Sequence, residues 1–383
     1  MLLIALGLLL CAPPAIAQLV IPSDGSDGAF APDGSVTNLV IDLSLATDGV
    51  WSQDNSANAG NGVYDPDKWA VVFKYSSVNI PAGVTVSFKN HRSRAPVVWL
   101  VQGDVNISGV INLNGENQKA GIVALIPTEP GPGGFRGGPF GPSGSGSGLG
   151  PGGVGPNYYN SQASYRSSYG NPQILPLIGG SGAGASTQVG DAGAAGGGAI
   201  LIAASGEVVV GGQIRAKGGG NNQKGSGGAV RIIAMQVHGN GEINCLNEGR
   251  TRIEANALSA SLRTYPETIA VPPAIPPVIW PPEGSPKVRI VSVDELTAPT
   301  DPTAPLVSSA DVAIQRDTLV VVVLETLNFP IEGVVQVRAA QKWGEVKWLK
   351  ASYASGNQAQ ALWRATNTFV KGYTTLQARA TAP

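Results

Sequence analysis

Cysteine is nearly absent from this chain of 383 residues: there are two, and Cys11 lies in an apolar leader, so Cys245 is left without an intramolecular disulfide partner. Histidine is as scarce. His91 and His238 stand in separate corner sequences, KNHRSR and VHGNG, with no second His or Cys at ligand spacing, which argues against zinc. Charged residues make up only 13% of the chain, the net charge is −1 and no Lys/Arg run occurs, so the electrostatic footprint of a nucleic-acid or anionic-lipid binder is missing. No segment reaches the roughly 20 apolar residues that a membrane-spanning helix requires. No G-x-S-x-G marks a nucleophilic serine, and no cofactor is expected.

What is present points to export and to β-structure. Leu2 to Leu10 form an apolar run, followed by Pro13-Pro14 and the small-residue pattern Ala15-Ile16-Ala17, which predicts a signal peptide over 1–17 and a secreted or cell-surface protein. The 52 glycines accompany 43% hydrophobic residues, so the chain is neither collagen-like nor a charged disordered polymer. Its length suits two cores rather than one.

Internal repetition carries the fold. VVWLVQGDVNISGVINLNG, from Val97 to Gly115, aligns without gaps with ILIAASGEVVVGGQIRAKG, from Ile200 to Gly218. A third copy runs from Val230 to Asn247 with one residue deleted, a looser one from Val71 to Phe88, and another begins at Arg252. Each copy holds short alternating Val/Ile runs separated by Gly, Asn or Ser corners. Such a unit cannot bury its apolar sides alone, so the copies are expected to stack as a parallel β-helix, a solenoid. Stacking aligns Leu113, Ala216 and Cys245 in one inward column and Ile111, Ile214 and Ile243 in another. Gly103, Gly109, Gly206, Gly212 and Gly241 recur at the corners, where a positive φ is expected.

The predicted organisation is an amino-terminal cap over 18–68 with strands at NLVIDLS and GVWSQ, then a glycine-rich body over 69–269. Within the body an insertion at about 116–197 opens on a candidate strand, AGIVALI, and becomes GPGGFRGGPFGPSGSGSGLGPGGVGP. Runs of Gly, Ser and Pro lose much conformational entropy for little burial, so this stretch is expected on the surface. A proline-rich linker follows over 270–286. Residues 287–383 alternate through seven short runs, from VRIVSVD to YTTLQARATA, and predict an immunoglobulin- or fibronectin-like β-sandwich with Trp343, Trp348 and Trp363 as core or edge aromatics. The fold class read from the sequence is therefore all-β.

GPGGFRGG, YGNPQILPLIGGSGAG, GGGAILIAASGEVVVGGQIRAKGGG and GSGGAVRIIA together resemble a group of exported glycine-rich bacterial proteins, over about Ser23 to Ala255. The resemblance implies a right-handed β-helix, often closed by an immunoglobulin-like domain. It marks scaffold positions and implies no activity.

Candidate chemistry is thin. Hydrolysis of a polysaccharide needs clustered carboxylates; the candidates are Asp104, Glu207 and Glu242, of which Asp104 and Glu207 occupy equivalent turn positions and could stack in one column. Arg215, Lys217 and Arg231 suggest a small basic patch on an outer face. Asp24 and Asp27, in SDGSDG, are the candidate calcium ligands, though the spacing is not that of an EF-hand. The candidate binding residues are Tyr158, Tyr159, Tyr165 and Tyr169 with Arg136 and Arg166, beside Phe135 and Phe140, because Tyr and Arg supply contact area with a polar handle. The pattern favours a non-catalytic structural or adhesive surface protein whose partner is an extracellular polysaccharide or another cell-surface component. The alternative is a carbohydrate-active β-helix enzyme, a lyase or hydrolase.

Overall fold

The computed structural model describes residues 18–156, 169–188, 190–220, 224–302, 310–314, 319–344, 346–369 and 371–383; the expected leader lies outside them. The described chain is all-β, with short 3-10 turns as its helical content. AGIVALI, expected as a strand, is one of those turns over Gly121–Leu125, and Trp51 in GVWSQ sits in a turn rather than a strand.

Three predominantly parallel sheets are visited in rotation. Ala70–Tyr75 enters one, Ser77–Ile80 the next and Thr85–Lys89 the third. Val97–Val101, Val105–Ile107 and Val110–Asn112 repeat the circuit, as do Ala199–Ala204, Val208–Val210 and Gln213–Arg215, then the strands beginning at Ala229 and at Arg250. The register pairs Val97 with Ile200, Val105 with Val208 and Ile111 with Ile214, which are the positions matched by the sequence repeat. Ala29–Phe30 and Asn38–Asp42, expected in a cap, are the first strands of two of these sheets.

Alternation sends one side chain in two toward the space between the sheets. Ile111, Ile214, Ile243, Leu113, Ala216 and Cys245 all lie there, buried in one apolar cluster with Phe73, Tyr75 and Trp99. Each fully buried aliphatic or aromatic side chain contributes about 1.5–3 kcal/mol. The corner glycines do not work as expected. Gly109, Gly212 and Gly241 are not in left-handed backbone and stack on one another, so that a Cβ on Gly212 would sit 1.9 Å from the Gly109 carbonyl oxygen. Close approach, not left-handed backbone, excludes a side chain there.

The sheet containing Val97–Val101 is apolar on its outer face too. Val98, Leu100, Leu201, Ala203 and Ile233 are covered there by Leu19, Ile21 and Ile279, with Trp51 and Trp280 packed alongside at 5.6 Å between ring centroids. The proline-rich segment thus touches the body at Ile279 and Trp280. Arg231, expected on an exposed basic patch, is 2% exposed beneath it: the guanidinium pairs with Glu254 at 2.7 Å and donates to the Val278 carbonyl.

The glycine-rich insertion overturns its expected place on the surface. Ala183, Ala185, Ala192, Ala194 and Ala195 are fully buried. Its backbone bonds follow a period of three. Ala192, Ala195 and Gly198 donate to Lys119, Glu116 and Leu113, while Gly193, Gly196 and Ala199 donate to Gly138, Phe135 and Pro132. Gly180, Ala183 and Ser186 donate in turn to Gly197, Ala194 and Asp191. Three residues per turn without internal hydrogen bonds is the polyproline II pattern, whose successive residues face different neighbours. Packing such segments side by side satisfies the backbone and leaves no room for Cβ: one on Gly196 would lie 1.9 Å from the Gly180 oxygen.

The carboxy-terminal region holds a five-stranded antiparallel sheet, including Lys287–Val293, Leu319–Leu327 and Gln360–Thr368, and a three-stranded one of Val334–Gln341, Val346–Lys350 and Thr374–Thr381. Val320, Val322, Leu324 and Trp363 from the first meet Val335 and Val337 from the second in one core. Trp363 is buried, with its indole N–H on the Thr326 hydroxyl, whereas Trp348 is exposed beneath the Arg379 guanidinium at 3.9 Å.

Candidate functional site

A cleft of about 1060 Å³ opens between the flank of the parallel sheets and the carboxy-terminal region. On the body side it is built from two turns. Asp65 accepts from the Lys68 and Trp51 amides and closes the turn that ends on Trp69. In the second turn the Arg94 amide donates to the His91 carbonyl. Trp69 and Arg94 both have positive φ, 47° and 53°, a conformation that costs a residue with a Cβ roughly 1–2 kcal/mol. Both strained side chains line the same cleft.

The indole N–H of Trp69 donates to the Ser93 carbonyl at 3.1 Å, and its ring lies 6.4 Å from Phe135 at an interplanar angle of 31°. Arg94 grips Glu129 through Nε and Nη2 at 3.2 and 3.1 Å, and Arg136 Nε donates to the same carboxylate at 2.8 Å. Burial by itself would raise the Glu129 carboxyl; the two guanidinium groups outweigh it and hold the group below its ordinary value. Burial lowers Arg136, with Glu129 opposing. Across the cleft stand Ile290, Val312, Phe369, Tyr373 and Leu376.

A latch ties the two walls. The Tyr64 hydroxyl donates to Asp301 at 2.6 Å, and His91 stacks on the Tyr64 ring at 4.1 Å with Nδ1 2.8 Å from the Ser93 hydroxyl. Burial first, then the Asp301 carboxylate, pushes the Tyr64 phenol well up. Burial, then Arg92, pushes His91 down.

Of the binding residues read from the sequence, Tyr158, Tyr159, Tyr165 and Arg166 lie outside the described residues. Tyr169 anchors the insertion: its hydroxyl donates to the Gly179 carbonyl at 2.7 Å, and Arg250 lies over its ring. Arg136 and Phe135 line the cleft, and Phe140 does not. Asp24 pairs with Lys74 at 2.6 Å. Asp27 is buried and accepts from the Asn55 side chain and from the amides of Gly60, Gly62 and Lys74, so its oxygens are occupied in holding a loop.

The three candidate acids sit apart in role. Asp104 accepts from the Glu207 amide at 2.9 Å, Glu207 meets His238 at 2.9 Å, and Glu242 lies on another sheet, accepting from Asn244. Cys245 is fully buried, and desolvation pushes its thiol up to about 12. Among the described residues, no group of three or more His, Cys, Asp or Glu side chains is placed to hold a metal ion.

Trp69, Arg94 and Glu129 were not legible as site residues. The polar clusters DPDK and HRSR signal turns, but the left-handed backbone that aims Trp69 and Arg94 is set by tertiary packing. Compared with protein-family models, with curated proteins and with solved structures, the chain matches none.

Proposed function

We propose that this is a non-catalytic extracellular structural or adhesive protein, a parallel β-helix body joined to an immunoglobulin-like sandwich, akin to the exported glycine-rich bacterial proteins it resembles. Its partner is an extracellular polysaccharide or another cell-surface component. One observation carries the reading: the glycine lattice of the body and the carboxy-terminal sheets are keyed together through Arg338, which is 0% exposed and donates to the carbonyls of Gly148 and Gly153 at 2.6 and 2.9 Å. Further bonds reinforce the key, from the Ser147 hydroxyl to the Gly344 carbonyl at 2.9 Å and from the Gly150 amide to Gln377 at 3.1 Å. Such a junction supports a stiff presenting scaffold better than a pair of independently moving domains.

The polar side chains support the same reading. Asp27 accepts several hydrogen bonds that fix a loop, and Glu129 and Glu254 are each gripped by two arginines of the same region. The test uses the mature chain from Gln18, incubated with insoluble and soluble polysaccharides. Co-sedimentation without release of reducing ends or unsaturated products is the expected result. Product formation would replace this reading with that of a carbohydrate-active enzyme. Residues 1–17 fused to a reporter are expected to direct its export, and retention inside the cell would remove the extracellular assignment.

A further inference from the structure

We infer that the cleft between the body and the carboxy-terminal sheets is a binding site for an acidic saccharide, a segment of a uronic-acid-containing polysaccharide. The inference rests on the adhesive reading above and names its ligand class. Three features of the cleft converge on it.

The first is an aromatic shelf. Trp69 and Phe135 lie 6.4 Å apart and are tilted by only 31°, both half-buried on one wall. Such a surface takes the apolar C–H face of a pyranose ring, as aromatic walls of ligand clefts take flat, partly apolar groups. The second is charge. Among the described residues, five cationic side chains line the cleft, Arg92, Arg94, Arg136, Arg289 and Lys371, against one carboxylate, Asp311. Asp48, Glu129 and Glu325 bind arginines from outside the lining. These carboxylates hold the arginines from behind, so the described lining that a ligand would meet is mainly cationic, in surroundings that Ile290, Val312, Phe369 and Leu376 make largely apolar. Cationic groups beside apolar walls attract an anion more strongly than the same groups in open water. Guanidinium groups already aligned by a carboxylate present their remaining N–H donors in a fixed fork suited to a second carboxylate.

The third feature is strain. Trp69 and Arg94 occupy left-handed backbone at φ 47° and 53°, and each supplies one of the two elements, shelf and guanidinium, that the ligand needs. Strain held at two positions of one cleft is the pattern of preorganised binding sites. At about 1060 Å³ the cleft has room for a short oligosaccharide rather than a single ring.

The test is titration of the full mature chain with a galacturonic acid oligomer, followed by calorimetry and by tryptophan fluorescence. The same oligomer with its carboxylates methyl-esterified and a polyglutamate peptide serve as the other probes. The acidic oligomer is expected to bind, with the ester and the peptide each weaker by roughly tenfold or more. Arg94→Gln and Phe135→Ser are each expected to weaken binding by a similar factor. Lys371→Gln, at an exposed position, is expected to weaken it with an unchanged melting temperature, which keeps a folded variant available if the half-buried ones fail to fold. Absence of binding, equal binding of the ester, equal binding of polyglutamate, or full affinity in Lys371→Gln and Arg94→Gln would each overturn it. Sedimentation of the wild-type chain with other wall material, unaffected by these substitutions, would overturn the cleft assignment while leaving the adhesive reading intact.

Discussion

Arg338 and Gly148 stand 190 residues apart and are joined by a 2.6 Å hydrogen bond from the guanidinium to the glycine carbonyl. The same nitrogen reaches Gly153, and a second reaches Gln377 at 3.3 Å. Burial pushes this guanidinium down to about 10, and among the described residues its hydrogen-bond acceptors are backbone carbonyls and one amide oxygen rather than a carboxylate. The consequence is a junction in which one buried side chain satisfies two glycine carbonyls of the body at once.

Arg338→Met should therefore uncouple the two regions. Two buried carbonyls lose their donor, at about 1–3 kcal/mol each. Differential scanning calorimetry is expected to show an early transition of the carboxy-terminal sheets, separate from that of the body. A single transition at the wild-type temperature would mean that the junction holds without Arg338.

The glycine lattice predicts a sharp contrast between two alanine substitutions. A Cβ on Gly196 would meet the Gly180 oxygen at 1.9 Å, whereas one on Gly155 has nothing within 4 Å. Gly196→Ala is expected to destabilise the protein by about 3 kcal/mol or more, since backbone must move apart. Gly155→Ala should lie within about 0.5 kcal/mol of wild type. Chemical denaturation of both variants checks this, and equal effects would refute a close-packed lattice.

Cys245 should be inert to thiol reagents in the folded protein, because burial both blocks access and raises its thiol to about 12. The ordinary value is 9.0, so between about 9 and about 12 the unfolded chain gives up this proton and the folded one keeps it. Stability should accordingly fall as pH rises through that window. Cys245→Ala is expected to flatten the alkaline slope in denaturation midpoints measured against pH. Rapid stoichiometric labelling of native protein would contradict the burial.

The docked proline-rich segment predicts resistance to proteases over 270–286. Ile279 is 6% exposed against Leu201 and Ile233. Ile279→Asp buries a charge without a partner and should release the segment, so that limited proteolysis cuts near it in the variant and spares it in wild type. Equal cutting in both would show that the segment is not held by this contact.

Glu129 gives a prediction at acid pH. Its carboxyl is held below the ordinary value in the folded protein, so its contribution is present above the unfolded value and is lost as pH falls through the folded one. Glu129→Gln should lower stability near neutrality and reduce the acid-side slope. An unchanged slope would detach the Arg94–Glu129–Arg136 network from folding stability.

The amino-acid sequence by itself determined what depends on local alternation and on repetition. Ile111, Ile214 and Ile243 could be assigned to one inward column because side chains alternate faces with period two, and a repeat that aligns in sequence aligns again in the sheets. The burial of Cys245 followed from the same count. Only the tertiary structure decided the rest. The glycine-rich insertion has no apolar periodicity to read: its stability comes from backbone bonds between distant segments, such as Gly193 to Gly138 and Gly180 to Gly197, and from the absence of Cβ at each crossing. Arg231 and Arg338 look like solvated charges in a strand pattern, yet each is buried because another part of the chain is laid over it and supplies acceptors. The cleft belongs to this second class. Trp69, Arg94 and Phe135 come from three separate stretches of chain, and they line one cleft only because the packing of whole elements brings them together and holds two of them in left-handed backbone.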